Sequence, residues 1–192
     1  MGTTRLYLRP PCRADWRQWA SLREQSREFL QPWEPTWPPD DLSWSAFKLR
    51  LKGLERDQRL GSTYSFLIFR RGDDRLLGGL SLYNVRGDTA CSGTLGYWIG
   101  QPFARSGYMS EALAALLDFC FEELKLNRVE AACLPENEAS QRLLRKAGFV
   151  REGFARQYLS INGAWRDHLL FALLAEDRRR QAAALGVAGF AR

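Results

Sequence analysis

Residues 95–115, LGYWIGQPFARSGYMSEALAA, constrain this chain more than any other stretch of it. A short apolar run at Gly96-Tyr97-Trp98-Ile99-Gly100 reads as a buried strand. It ends in a glycine-containing loop that opens into a helix with apolar groups at Leu113, Leu116, Leu117, Cys120, Phe121 and Leu124, the spacing of one helical face. A loop feeding a helix N-terminus leaves several backbone N–H groups without acceptors, and the helix dipole adds partial positive charge there. Such a corner cradles phosphate, so a ligand carrying a pyrophosphate is the first expectation. Neither GxGxxG nor GxxxxGK[ST] is present, which removes the dinucleotide and triphosphatase versions of that corner.

The rest of the chain alternates strands and helices. Strands are expected at residues 5–9, 62–70, 75–83, 92–99, 128–134, 149–159 and 166–174, and turns at Gly72-Asp73-Asp74 and Gly87-Asp88. Helices are expected at 11–29, 42–57, 107–126 and 137–147, the last closed by Gly148. The first two are separated by the Pro/Trp-rich loop QPWEPTWPPDD. With 192 residues, 45% hydrophobic and 26% charged, the chain reads as one globular domain, with a core at about 4–175 and a tail at about 176–192.

The loop residues Ala104, Arg105, Ser106, Gly107, Tyr108 and Met109 resemble the acetyl-CoA motif Gln/Arg-x-x-Gly-x-Gly/Ala of the GNAT acetyltransferases. Ala104 and Met109 depart from that pattern. Further on, Leu134-Pro135-Glu136-Asn137-Glu138-Ala139-Ser140 and the helix ending in Gly148-Phe149 resemble the family's second signature, with Asn-x-x-Ser at its start. Phe29-Leu30-Gln31-Pro32-Trp33-Glu34-Pro35 and Asn162-Gly163-Ala164-Trp165-Arg166-Asp167-His168 resemble the RimJ/RimL branch, whose members acetylate the N-terminal amine of ribosomal proteins.

The resemblance implies an α+β fold, an α/β/α sandwich whose mixed, mostly antiparallel sheet carries helices on both faces. Two adjacent parallel strands splay in it and admit the pantetheine arm of acetyl-CoA. It further implies that Tyr97, Trp98 and Ile99 present backbone groups to pantetheine, that Ala104 through Ser110 present N–H groups to the pyrophosphate, and that Asn137 bonds the arm. Ser140, three residues on and on the same helical face, matches the position that protonates the coenzyme A sulfur; an ordinary hydroxyl in a first helical turn is the competing reading.

A strong base is not required by the chemistry. An α-amine titrates near ~8 and a lysine near ~10.4, so roughly a tenth of N-termini are already nucleophilic at neutral pH. Glu34, held between two prolines, is the candidate should a base or orienting group exist, with a surface carboxylate as the alternative. Trp33 and Trp37 could wall a pocket for a chain end, with Glu34 and Tyr83 beside them. Glu111 at a helix start reads as compensating the dipole, and His168 in an alternating strand reads as structural.

Four scattered cysteines and a single histidine make no zinc set, so neither metal nor disulfide is expected. The net charge of +6 suits polyanions such as coenzyme A or ribosomal RNA, and equally a solvated surface. No motif points to sequence-specific nucleic-acid reading. The absence of a long apolar run or an N-terminal signal h-region leads to the expectation of a cytoplasmic protein without membrane contact. The expected reaction is direct transfer of acetyl from acetyl-CoA to a protein N-terminus in a ternary complex. Acetylation of a small amine, such as a polyamine, amino sugar or amino acid, stays open, as does a ribosome-associated binding protein with a weak transferase site. A homodimer also stays open.

Overall fold

The computed structural model describes residues 1–184. Seven strands form one sheet: β1 (Leu6–Arg9), β2 (Tyr64–Arg70), β3 (Arg75–Arg86), β4 (Ser92–Ile99), β5 (Arg128–Cys133), β6 (Val150–Ile161) and β7 (Ala164–Leu174). Their order across the sheet is β1-β2-β3-β4-β5-β7-β6. Every neighbouring pair is antiparallel except β4 with β5. The β6–β7 hairpin turns through Asn162 (φ 47°) and Gly163 (φ 81°). Two left-handed residues in a two-residue loop match the right-handed twist of the flanking strands, and Asn-Gly is the pair that adopts them at least cost.

The helices are α1 (Trp16–Gln25), α2 (Arg27–Leu30), α3 (Trp44–Arg59), α4 (Tyr108–Asp118), α5 (Glu138–Lys146) and α6 (Ala175–Ala184). Alternate residues of β2 sort them onto two faces. Ser65 and Leu67 look toward Trp19 of α1 and Phe47 of α3, whereas Tyr64 and Phe66 meet Phe119 just beyond α4, with ring centroids 5.4 and 5.6 Å apart. The apolar stripe of α4, Leu113, Leu116 and Leu117, is buried to within 1% of full exclusion from solvent. Truncating one of these leucines to alanine would leave a cavity and cost about 3 kcal/mol.

Three helices differ from the expectation, each for a local reason. The helix expected over 11–29 breaks at Ser26 (φ −107°, ψ 11°), whose fully buried hydroxyl accepts a hydrogen bond from the Gln101 N–H at 2.9 Å. A serine that bonds a distant backbone group in this way competes with helix continuation. The helix expected to run to 126 ends at Asp118, and Phe119–Glu123 follow as a wide π turn. At the C-terminus, the start of the expected tail is helical: α6 carries Arg178, whose Nη2 donates to Asp118 at 2.6 Å. Residues 185–192 of that tail lie outside the described residues. By contrast α5 ends as expected, with Gly148 at φ 94° and the bonds Gly148 N–H to Arg145 C=O and Phe149 N–H to Leu144 C=O, both 3.0 Å.

Candidate active site

The parallel pair at the centre of the sheet separates partway along. β4 pairs with β5 only from Ser92 to Leu95, opposite Arg128 to Ala131. It stays paired with β3 as far as Ile99, while β5 continues alongside β7 through Cys133. The β5-facing edge of Gly96–Ile99 therefore has no ladder partner. Tyr97, Trp98 and Ile99 lie on this free edge. Unpaired strand groups demand an acceptor or donor from elsewhere, and an extended arm with amide groups supplies both.

The phosphate corner lies at the end of the same strand. Gly107 is the N-cap of α4 at φ 78°, and Arg105 also has positive φ, 61°. The N–H groups from Arg105 to Ser110 make no hydrogen bond to the protein among the described residues. A Cβ on Gly107 would find its nearest neighbour, Arg5 Nη2, at an ordinary 3.5 Å. Backbone angle rather than crowding by protein is what calls for glycine here. The two departures from the family pattern sit quietly: Met109 is a buried core residue and still presents its N–H, and Ala104 is extended at φ −62°, ψ 153°.

Arg5 was not singled out from the sequence. Its Nε donates to Glu111 at 2.7 Å, its Nη1 to the Ser106 carbonyl at 3.3 Å, and its guanidinium lies 4.7 Å over the Tyr108 ring. Burial alone would raise the Glu111 carboxyl, but hydrogen bonds from the Thr3 hydroxyl and from the Arg5 backbone and side chain outweigh it and hold the group below its ordinary range. Glu111 thus ties β1 to the first turn of α4, in line with the structural role expected for it. No sequence periodicity links residues 106 positions apart.

Asn137 and Ser140 stand at the start of α5. The Asn137 Oδ1 accepts from the Ser140 N–H at 3.0 Å, a helix cap, and its amide nitrogen has no protein partner among the described residues. The Ser140 Oγ lies 2.6 Å from the Tyr97 hydroxyl, so α5 and the free edge of β4 meet across the gap. Burial pushes the Tyr97 phenol well above its usual range. It also pushes up the nearby Cys133 thiol, against the opposing effect of a Ser140 hydrogen bond. Cys120, beneath α4, is pushed up to about 12 by burial. Both cysteines are free and buried.

Across the sheet, a second cluster faces the same strand. Arg23 of α1 is 6% exposed and pairs with both oxygens of Glu34, at 3.3 and 2.5 Å. Its guanidinium lies 4.2, 5.1 and 5.5 Å from the rings of Trp37, Trp98 and Trp19, and its Nε meets no acceptor among the described residues. Trp37 donates to Glu34 at 2.7 Å, and the Glu34 carbonyl accepts from Asn162 N–H at 2.9 Å. The two segments that resemble the RimJ/RimL branch, far apart in sequence, therefore touch.

Glu34 is thus not a free carboxylate. Both of its oxygens are occupied, which fits an anchor better than a base. Trp37 is buried inside this cluster, whereas Trp33 stands 38% exposed on its outer side. Tyr83, half-buried on β3, packs against Gly96 at the root of the gap; burial first and the neighbouring Tyr158 second push its phenol upward. His168 is buried with Nδ1 3.0 Å from the Arg166 carbonyl, a structural placement. Among the described residues no cluster of histidine, cysteine and acid could hold a metal, and no helix is long and apolar enough to cross a membrane.

Residues 5–150 match the acetyltransferase (GNAT) domain family. The ribosomal protein uS5-alanine N-acetyltransferase of Escherichia coli is 34% identical over 177 residues, covering 92% of this chain and 91% of that protein. Among solved structures, Mycobacterium smegmatis RimJ in complex with a coenzyme A disulfide superposes with a TM-score of 0.86 at 34% identity, covering 94% of this chain and 89% of that one. A ribosomal-protein-alanine acetyltransferase from Vibrio fischeri gives 0.85 at 29% identity, covering 92% and 97%. The chain therefore belongs to the GNAT family as an acetyl-CoA-dependent N-acetyltransferase of the RimJ/RimL type.

Proposed function

We propose that this enzyme acetylates the N-terminal α-amine of a protein, a ribosomal protein being the expected acceptor, by direct transfer within a ternary complex. The observation that carries the reading is the arrangement around the free edge of β4, which has the phosphate corner at one end, Ser140 at its side and the Arg23–Glu34–Trp37 cluster on the opposite face of the sheet. Support for the acceptor class comes from the relatives, which include enzymes named for ribosomal-protein alanine.

In this reading acetyl-CoA supplies an acetyl thioester, and the residues of the chain do the rest. The N–H groups of Ala104 through Ser110, apart from the turn bond that Ala104 N–H makes to Gln101, face the pyrophosphate, with Arg5 flanking them. The edge of Tyr97, Trp98 and Ile99 aligns the arm, and the Asn137 amide nitrogen donates to it. Ser140 Oγ holds a proton for the departing sulfur, an assistance of the general-acid kind. Trp33 and Tyr83 border the acceptor, and Glu34, pinned by Arg23, fixes the loop carrying Trp33 and Trp37. The α-amine needs little deprotonation at neutral pH, so the absence of a free base in this account is consistent with its chemistry.

Intact-mass analysis of ribosomal proteins from cells with and without the gene tests the proposal. One protein should lose a single acetyl group, located at its N-terminus, when the gene is deleted. Identical ribosomal masses in the two strains, together with robust turnover of a polyamine or amino sugar by the purified enzyme, would move the acceptor to small amines.

A further inference from the structure

The hydroxyls of Tyr97 and Ser140, 2.6 Å apart, are the only side-chain hydrogen bond joining the free edge of β4 to α5 among the described residues. A hydroxyl has one proton to give and lone pairs to accept with, so the pair admits two arrangements. Were Ser140 to donate to Tyr97, the phenolic proton would be left in a half-buried place with no other partner among the described residues, an arrangement that polar groups shielded from water avoid. With Tyr97 donating, both needs are met. The phenol keeps its proton, since burial opposes the phenolate, and the Ser140 oxygen accepts while its own proton is not spent on the phenol, the Cys133 thiol being its other neighbour.

We propose that Tyr97 is a positioning residue for acetyl transfer: its O–H donates to Ser140 Oγ and so turns the Ser140 proton toward the cleft where the coenzyme A sulfur departs. This rests on the reading of Ser140 as the proton donor. As the C–N bond forms and the C–S bond breaks, the sulfur takes the Ser140 proton. The Tyr97 O–H stabilises the oxygen left behind, and the proton shed by the amine nitrogen returns through solvent to the serine. No proton is gained or lost overall. A donor already oriented toward a site where negative charge develops costs no reorganisation at the moment of reaction, and hydrogen bonds in series polarise one another.

Tyr97→Phe removes the hydroxyl and keeps the ring, so packing between β4 and α5 is retained. The expected result is a fall in kcat of about tenfold, the effect of one well-placed hydrogen bond, with KM for acetyl-CoA and the melting temperature unchanged. In a Ser140→Ala background the same substitution should cost nothing more, because the residue it positions is gone. Three outcomes overturn the proposal in distinguishable ways. Wild-type kcat in Ser140→Ala removes the reading of Ser140 and the proposal with it. Impaired Ser140→Ala with wild-type kcat in Tyr97→Phe removes the role of Tyr97 alone. Losses that multiply in the double variant show the tyrosine acting independently of the serine.

Discussion

The two sides of the cleft are built by different means. On the cofactor side, recognition is assigned to backbone: the free edge of β4, the N–H groups around Gly107 and the capped start of α5. Backbone geometry of this kind is local, set by a positive φ at one glycine and a cap three residues from the N–H it satisfies. On the acceptor side the structure depends on side chains brought from α1, the Pro/Trp loop and β4 onto one buried guanidinium, with the β6–β7 turn tied in through its Asn162 N–H to the Glu34 carbonyl. In the proposed reading a thioester carrier, always the same molecule, is met by a fixed backbone frame, while the acceptor is met by a replaceable side-chain assembly.

If that division is right, damage on the cofactor side should appear in acetyl-CoA parameters or turnover, and damage on the acceptor side in peptide parameters. Ser140→Ala is expected to have the largest effect, a loss of roughly 100-fold in kcat with KM for acetyl-CoA nearly constant, since the proton is needed only as the sulfur leaves. Gly107→Val comes next. Its β-branched side chain is strained at φ 78°, and the dissociation constant for acetyl-CoA should rise about tenfold while the peptide KM holds. Equilibrium titration checks this, and an unchanged constant would break the assignment of the corner.

These first two sites are also the ones the sequence displayed. Gly107 announces a left-handed corner because few other residues tolerate one, and Asn137 with Ser140 stands out by its likeness to the family's Asn-x-x-Ser signature. The strand boundaries of β4 were legible for the same reason, local chemistry written in adjacent residues. Arg23 was not legible. It stands in a helix among other arginines, and nothing near it in sequence shows that Glu34 and three tryptophan rings will enclose it. Ser26 hid in the same way, because the Gln101 N–H that breaks the helix lies 75 residues further on. Arg5 depends on a contact with Glu111 that only the folded sheet creates.

Glu34→Gln sharpens the other half of the comparison. It leaves the Arg23 charge buried without its counter-ion, at a cost of about 3 kcal/mol and a fall in melting temperature of roughly 6–12 °C. The peptide KM should rise severalfold and the acetyl-CoA KM stay put, with Glu122→Gln and Glu123→Gln, on the exposed turn after α4, as silent controls. An equal rise in both KM values would mean that the two sides are not separable.

The smallest expected effect concerns acid stability. The Glu111 carboxyl is held below its ordinary range in the fold, so its contribution is complete above that range and is lost as pH falls through the depressed value. Wild-type protein should therefore lose more thermal stability than Glu111→Gln between about pH 5 and about pH 3. Parallel melting curves across that interval would show that the tie from β1 to α4 carries no net charge-dependent stability.

The most direct measurement is tandem mass spectrometry of a basic peptide that begins with alanine and contains internal lysines, after incubation with the enzyme and acetyl-CoA. One acetyl group on the N-terminal amine, with the lysines untouched and with a polyamine failing to compete, is the result the account predicts. Acetylation at lysine, or a polyamine that outcompetes every such peptide, would contradict it.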